Sequence, residues 1–177
     1  MREPMPIKNI EIKARCPDTA KIREILKSRQ AEYKGLDHQV DTYFKVNNGR
    51  LKLREGNIEK NLIYYDRPNQ SGPKKSSVIL YPVADSPALK EALTRSLGVW
   101  VVVDKHREIY FIDNVKIHLD RLAGLGEFVE IEAIDRDGTL TEGYLLEQCN
   151  HYLTLFGISP QYLLKGSYSD MLLEAQS

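Results

Sequence analysis

Short stretches in which apolar and polar residues alternate are the most constraining feature of this sequence. In the first of them, polar residues separate Ile10, Ile12 and Ala14. Because successive side chains of a β-strand point to opposite faces, this period of two predicts a strand with one apolar and one polar face. The same pattern predicts eight strands, over residues 9–15, 38–46, 50–55, 61–67, 77–83, 99–111, 115–122 and 127–134.

Turn-forming residues lie between several of these strands. Asn47-Asn48-Gly49 and Asp113-Asn114 tolerate positive φ angles, and residues 68–75 combine Pro, Asn, Ser and Gly in what we predict to be a mobile loop. Tight turns join neighbouring strands in antiparallel pairs. We therefore expect a largely antiparallel sheet that either closes into a barrel or is covered on one side.

Helical spacing of apolar residues predicts helices over residues 18–29, 86–98 and 141–156, and a last short helix over 169–173. Ser86 and Pro87 are typical of a helix start, and Gly98 and Gly157 of a left-handed stop. Sheet and helices together indicate the α+β class. A chain of 177 residues fits one domain, with a core over about residues 7–173 and a flexible segment at residues 1–6.

The overall charge and the apolar runs limit the possible partners. The chain has 25 basic and 25 acidic residues, which argues against broad nucleic-acid binding and against a membrane-surface protein. Residues 1–6 lack the apolar region of a signal peptide, and the longest apolar run, at 99–103, is too short to span a bilayer. We expect a cytoplasmic protein, with Cys16 and Cys149 as buried thiols rather than disulfide or zinc ligands. A homodimer is possible on general grounds.

The polar faces of several predicted strands carry charged residues at positions i and i+2. The sets are Glu11 and Lys13, Lys52 and Arg54, Lys105 and Arg107, Lys116, His118 and Asp120, and Glu130 and Glu132. On a single strand such a set is most simply a solvated face, since these residues are rarely buried. However, Lys105 and Arg107 share their face with Val101 and Val103, which is unlike a purely solvent-facing surface.

A closed sheet would bring these faces together in an interior. Cations on neighbouring strands repel each other unless an anion lies between them, and a triphosphate is such an anion. Clustered carboxylates on one wall would hold Mg²⁺ or Mn²⁺, which prefer oxygen ligands and bridge to phosphate. The charge pattern is therefore consistent with a site for a metal and a triphosphate.

Motifs in a fixed order give this chain a resemblance to a known family. Asn9-Ile10-Glu11-Ile12-Lys13 is similar to the Glu-x-Glu-x-Lys strand that opens the CYTH superfamily, with the first Glu replaced. Further similarities are Asp41-Thr42-Tyr43-Phe44, the Leu-Lys-Leu-Arg pattern of 51–54, Asp104-Lys105-His106-Arg107, His118-Leu119-Asp120, residues 124–132 and Lys165-Gly166-Ser167-Tyr168. The chain thus resembles the triphosphate tunnel metalloenzymes, a group that includes class IV adenylyl cyclases and thiamine triphosphatases.

The resemblance implies an eight-stranded antiparallel β-barrel with flanking helices and a tunnel that binds a triphosphate with Mg²⁺ or Mn²⁺. The implied phosphate-binding residues are Lys13, Lys52, Arg54, Arg67, Lys105, Arg107 and Lys165. The implied metal ligands are Glu11, Asp120, Glu130 and Glu132, and the implied catalytic residues are Glu11, Lys13 and Tyr43.

Some positions depart from the family pattern or have two interpretations. Asn9 offers a metal a carbonyl oxygen but no charge, and Lys52 stands where many members have Arg. The basic residue before the mid-chain proline is Arg67, unless Asp66 holds the equivalent place. Tyr43 is either a proton-transfer partner or a packed strand tyrosine, and His118 either aids catalysis or is a hydrogen-bonded structural histidine.

Three functions remain open from the sequence. The first is a class IV adenylyl cyclase, which converts ATP to cyclic AMP and pyrophosphate. The second is a triphosphatase acting on tripolyphosphate, thiamine triphosphate or a nucleoside triphosphate. The third is a non-catalytic module that binds triphosphate or polyphosphate. All three need the same cage of cations, so the charge pattern alone does not separate them.

Overall fold

The predicted strands form one closed antiparallel β-barrel in the computed structural model, which describes residues 7–176. Around the barrel the strands follow the order β1-β5-β4-β3-β2-β6-β7-β8, and β8 pairs back with β1. The strands are β1 (Ile7–Arg15), β2 (Glu32–Phe44), β3 (Arg50–Glu55), β4 (Lys60–Asp66), β5 (Lys74–Pro82), β6 (Val99–Ile112), β7 (Val115–Leu122) and β8 (Gly126–Asp135). Of the two arrangements that the alternation allowed, the barrel is the correct one. The predicted flexible segment at residues 1–6 lies outside the described residues.

Four helices flank the barrel within residues 7–176. They are α1 (Thr19–Ser28), α2 (Pro87–Leu97), α3 (Glu142–Phe156) and α4 (Tyr168–Gln176). Gly98 and Gly157 end α2 and α3 as predicted, but only Gly157 (φ 66°, ψ 34°) is in the left-handed helical conformation, whereas Gly98 has φ 76° and ψ 148°. In this part of the chain, none of the helices has both the length and the apolar character needed to cross a bilayer.

The main apolar core lies outside the barrel wall. Ile10 and Ile12 of β1 point outward and pack with Leu26 of α1 and with Cys149 and Phe156 of α3. Burying one such aliphatic side chain stabilises the fold by about 1.5–3 kcal/mol. Because alternate residues point to the other face, the polar side chains of the same strands must enter the barrel interior. For β1, β7 and β8, packing against α1 and α3 therefore determines which face becomes the interior.

One end of the barrel is covered by α4. Tyr168, at the start of this helix, is buried with Val101, Val103 and Phe128, and its ring meets that of Phe128 edge-on at 5.0 Å between centroids. The opposite end is formed by the start of β1 and the end of β8. Leu80 and the residues that follow β8 are exposed there. Exposed residues therefore surround the end of the cavity that α4 does not cover.

The structure corrects three element boundaries. Strand β2 begins at Glu32 rather than at residue 38, because Gly35 (φ 125°) and a register shift against β6 interrupt the alternation. Strand β5 begins at Lys74 rather than at residue 77, since residues 74–77 are all polar and show no alternation. The last helix spans Tyr168–Gln176 instead of 169–173. Both cysteines are buried free thiols, as predicted.

Candidate functional site

The barrel encloses a cavity lined mainly by polar side chains. Among the described residues, its lining contains eight lysine and arginine side chains and five aspartate and glutamate side chains. The basic residues are Lys13, Lys52, Arg54, Arg67, Lys105, Arg107, Lys116 and Arg136, and the acidic residues are Glu11, Asp41, Glu59, Glu130 and Glu132. The excess of positive charge makes the cavity suited to an anion.

Asp41 is the centre of the basic part of the cavity. Its carboxylate accepts hydrogen bonds from Nε and Nη2 of Arg54, both at 2.9 Å, from Lys52 Nζ at 3.0 Å and from Lys105 Nζ at 2.8 Å. Although burial opposes its ionisation, these three cations hold the pKa of Asp41 well below its usual value. One carboxylate therefore serves three predicted phosphate-binding residues, which leaves them with a net positive charge.

Glu59 adds a second carboxylate that the sequence analysis missed. It accepts a hydrogen bond from Arg54 Nη1 at 2.9 Å and is paired with Lys116. The backbone N–H groups of residues 58 and 59 donate to the buried Asp37 at 2.9 and 3.0 Å, which fixes the turn between β3 and β4. Because Glu59 lies in this turn and not on a strand, alternation gives no sign that it enters the cavity.

Arg107 and Asp120 form a buried pair. Nε and Nη2 of Arg107 each donate to the Asp120 carboxylate at 2.6 Å, and the Tyr168 hydroxyl donates to the same carboxylate at 2.7 Å. Burial opposes ionisation, but Arg107 lowers the pKa of Asp120 to about 2. The structure thus places Asp120, a predicted metal ligand, behind Arg107 and outside the cavity lining. In this position Asp120 orients Arg107.

The remaining acidic residues form a potential cation site. One ligand atom from each of His118, Glu130 and Glu132 lies within 4.8 Å of the others. Burial and the neighbouring Glu130 raise the pKa of Glu132, and Lys13 helps to hold that of Glu130 well below its usual value despite burial. Two carboxylates this close repel each other unless a proton or a cation lies between them.

His118 supports the interpretation as a metal site. Burial and Arg107 lower the pKa of its imidazole to about 3, so the ring is neutral. Neither ring nitrogen has a hydrogen-bond partner among the described residues, although the side chain is almost fully buried. Neutral imidazole nitrogen with two carboxylates is a suitable donor set for a divalent cation such as Mn²⁺. His118 was not among the ligands predicted from the sequence.

Lys13, Glu11 and Arg67 lie beside this acidic cluster. Lys13 Nζ is 3.1 Å from Glu130 and 3.8 Å from the centroid of the Tyr168 ring. Glu11 lies directly across from Glu132 on β8 and is paired with Arg67. The structure therefore brings together Glu11 and Lys13, two of the three predicted catalytic residues, with Arg67, a predicted phosphate ligand. Glu11 is also a predicted metal ligand.

The last two predicted site residues occupy different surroundings. Tyr43 lines the cavity, where Lys52 Nζ donates to its hydroxyl at 3.2 Å. Burial raises the pKa of Tyr43, so its phenol stays protonated and can orient a ligand but is a poor base. The side chain of Lys165 is exposed and is not part of the described cavity lining. Lys74 is buried instead and donates to the carbonyl of Leu164 at 3.2 Å.

The fold and the lining together define a tunnel-type β-barrel with a charged interior. The family model of the CYTH domain matches residues 8–152, so the chain belongs to the CYTH family. A search of curated proteins finds no match.

Solved structures show the same fold. The PH1012 protein from Pyrococcus horikoshii is 22% identical with a TM-score of 0.77, and the match covers 92% of this chain and 98% of that one. A Vibrio parahaemolyticus protein named as a candidate adenylate cyclase is 20% identical, with a TM-score of 0.78 and coverage of 96% and 99%. A Hippeastrum protein, named as a candidate adenylyl cyclase with a dominant triphosphatase activity, is 12% identical with a TM-score of 0.59 and coverage of 96% and 95%.

The acidic cluster predicts a metal-binding phenotype. We expect Glu132→Gln and His118→Ala each to weaken Mn²⁺ binding at least about tenfold, because even outer-sphere partners of a metal typically contribute that much. Calorimetric titration of the purified protein with Mn²⁺ measures the effect. Glu147→Gln, which changes an exposed glutamate on α3, is the matched control. Unchanged affinity in both cavity variants would mean that this cluster does not hold the ion.

Glu59 predicts a pH dependence of stability. Burial opposes ionisation of its carboxyl, but Arg54 and Lys116 lower the pKa below the unfolded value of 4.5. The ion pairs therefore stabilise the fold above that value, and the contribution is lost as the pH falls below it. We expect Glu59→Gln to reduce the free energy of unfolding more at pH 7 than at pH 3, measured by urea denaturation. A difference from wild type that does not depend on pH would contradict this account.

Proposed function

We propose that this protein is a metal-dependent enzyme that acts on a triphosphate, with the conversion of ATP to cyclic AMP and pyrophosphate as the leading reaction. The observation that carries the proposal is the cluster of Lys52, Arg54 and Lys105 around Asp41, in which the three cations share this carboxylate and only Arg54 also binds Glu59. Phosphate oxygens would supply the negative charge that this cluster lacks. Membership of the CYTH family supports this choice of substrate class.

The residues divide into two roles in this proposal. Arg54 and Arg107 would donate to phosphate oxygens from the guanidinium N–H groups that their carboxylate partners leave free, and Lys13, Lys52 and Lys105 provide point charges. Lys13 links these cations to the acidic cluster, because its Nζ lies 3.1 Å from Glu130. When a divalent metal is bound by Glu130, Glu132 and His118, it supplies Lewis-acid charge at the phosphates. Arg67 and Glu11 complete this end of the site.

The cyclase reaction needs a proton acceptor. The ribose 3′ oxygen would form a bond to the α-phosphorus while the bond to the bridging oxygen of the β-phosphate breaks, and pyrophosphate would leave. We assign the hydroxyl proton to Glu11, a carboxylate that lines the cavity next to the acidic cluster. Tyr43 is unsuited to accept this proton, since its raised pKa keeps the phenol protonated. We assign Tyr43 the role of orienting the substrate.

A triphosphatase is the second candidate. In that reaction a water molecule replaces the ribose hydroxyl and attacks a terminal phosphorus, while the same cations bind the substrate. The observation that favours it is Asn9, which leaves β1 one carboxylate short of the opening motif of the family. The name of the Hippeastrum protein is compatible with both reactions on this fold.

One product assay separates these candidates. The purified protein is incubated with ATP, tripolyphosphate or thiamine triphosphate, each with Mg²⁺ or Mn²⁺, while cyclic AMP, pyrophosphate and phosphate are followed. Cyclic AMP with pyrophosphate supports the cyclase, and phosphate supports the triphosphatase. Saturable binding without product would indicate a module that only binds triphosphate. An absence of both binding and product with all substrates would reject the proposal.

Arg54 provides the sharpest test of phosphate binding. We expect Arg54→Ala to weaken triphosphate binding by about 1.5–3 kcal/mol, or roughly ten- to 150-fold in Kd, because charge-assisted hydrogen bonds to phosphate are lost. Lys52 and Lys105 still neutralise Asp41 in this variant, so the fold should persist. Calorimetry gives the Kd, and a thermal melt checks folding.

Two further variants complete this test. Arg54→Lys keeps the charge but not the bidentate geometry, and we expect an intermediate affinity. Arg121→Ala removes an exposed arginine from β7 and should leave the Kd unchanged. If Arg54→Ala binds as tightly as Arg121→Ala, the Asp41 cluster is a structural ion-pair network and does not bind phosphate.

A further inference from the structure

The wall of the cavity formed by β4 and β5 differs from the others. Within the described lining, these two strands contribute no charged side chain. Their lining residues are Asn61, Ile63 and Tyr65 from β4 and Ser76, Val78 and Leu80 from β5. Ile7 of β1 and Ile134 of β8 extend this surface on the neighbouring strands. We call these eight residues, together with Asn9, the neutral wall. Charged residues of β1, β2, β3, β6, β7 and β8 line the rest of the circumference.

Asn9 and Ser76 are unusual members of the neutral wall. They are direct cross-strand partners on β1 and β5, and both side chains are buried, with 6% and 1% exposure. Asn9 Oδ1 and Ser76 Oγ have no hydrogen-bond partner among the described residues. Most buried polar side-chain atoms in folded proteins do have a partner, because an unpaired one keeps the full cost of losing water. Two adjacent unpaired atoms facing one cavity therefore indicate a ligand group between them.

The register argues against a metal at Asn9. Its direct cross-strand neighbours are Ser76 on one side and Ile134 on the other, and neither is a carboxylate. The acidic residues begin one pair further along, where Glu11 faces Glu132. An amide oxygen between a hydroxyl and an isoleucine side chain suits an N–H or O–H donor on an otherwise uncharged group.

The register also orients such a group. Asn9 and Ser76 lie closer to the start of β1 than Glu11 and Lys13 do, and Leu80 and Arg136 mark the exposed end of the cavity on that side. The opposite end is covered by Tyr168 and the rest of α4. A substrate with its phosphates between the cations and the acidic cluster would therefore place its non-phosphate part against the neutral wall, near the exposed end.

We propose that Asn9 and Ser76 bind the uncharged organic part of the substrate, so that this protein selects an organic triphosphate over inorganic tripolyphosphate. Val78 and Ile134 pack against this organic part. Asn9 Oδ1 and Ser76 Oγ accept hydrogen bonds from an amine or hydroxyl group on it. The replacement of the first motif glutamate by Asn9 is then a determinant of specificity. This inference rests on the proposed triphosphate function.

Binding measurements with matched ligands test the inference. The organic probes are the α,β-methylene analogues of ATP and of GTP, whose organic parts are uncharged, the inorganic probe is tripolyphosphate, and each Kd is measured by calorimetry with Mg²⁺. We expect wild type to bind at least one organic probe more tightly than tripolyphosphate. Asn9→Ala and Ser76→Ala should each weaken that organic probe about three- to tenfold, the range for a single hydrogen bond, and change the Kd of tripolyphosphate less than about twofold.

A control and a stability measurement exclude a purely structural role. Ser77→Ala changes the next residue of β5, which is exposed on the outer face, and should affect neither ligand. Ser76→Ala removes an unpaired buried hydroxyl, so it should not lower the melting temperature of the ligand-free protein. A lower melting temperature with an unchanged ratio of organic to inorganic affinity would overturn the inference, because Ser76 would then serve the fold alone.

The remaining outcomes distinguish this inference from the function on which it rests. Tight binding of tripolyphosphate, with no organic probe preferred, would overturn the inference and leave the triphosphate function in place. An organic preference that neither variant changes would also overturn it, since water would then fill the space between Asn9 and Ser76. Failure of all three probes to bind would reject both the inference and the proposed function.

Discussion

The burial of charge inside a closed barrel is the constraint on which the rest of this structure depends. Burying the charge of a lysine or arginine raises the free energy of the folded state by several kcal/mol unless a carboxylate or another anion lies beside it. Asp41 offsets this cost for three cations at once, and Asp120 does so for Arg107. Both carboxylates are thereby held in buried ion pairs. A cavity organised in this way is poised for anions, because incoming phosphate oxygens can take over contacts that the carboxylates share among several cations.

The same constraint explains why the apolar core lies outside the barrel. With charged side chains filling the interior, β1, β7 and β8 can only bury their apolar faces against α1 and α3, and Phe44 and Leu53 pack under α2. The barrel wall is thus a two-sided sheet, apolar against the helices and polar inside. Tyr168 of α4 contacts both apolar and charged residues, because its ring packs on Phe128 while its hydroxyl donates to Asp120.

Alternation predicted the strands and the side chains on each face, because a strand has a period of two whatever surrounds it. Alternation could not predict that the sheet closes into a barrel, since a polar face gives the same pattern whether it lines a tunnel or contacts solvent. The barrel was predicted from the family resemblance. The alternation also could not predict which charged side chains form ion pairs with each other. Lys105 and Arg107 lie in the cavity as expected, but Asp120 binds Arg107 because the two are cross-strand neighbours, a register that no single strand reveals. Glu59 was missed because a turn held by Asp37 brings it into the cavity.

The arrangement of charge around the barrel also bears on how a ligand can lie within it. The strands that bring charged side chains to the cavity, β3, β2, β6, β7, β8 and β1, are consecutive in the barrel, and the two that contribute no charged side chain to the described lining, β5 and β4, are neighbours. A uniformly charged tunnel would hold a chain of phosphates equally well in several positions along its axis. Here the described neutral wall offers no cation beside Asn9, whereas Lys52, Arg54 and Lys105 cluster around Asp41 on other strands. A triphosphate would therefore lie on the cationic side, which leaves the space at Asn9 and Ser76 for a group without charge.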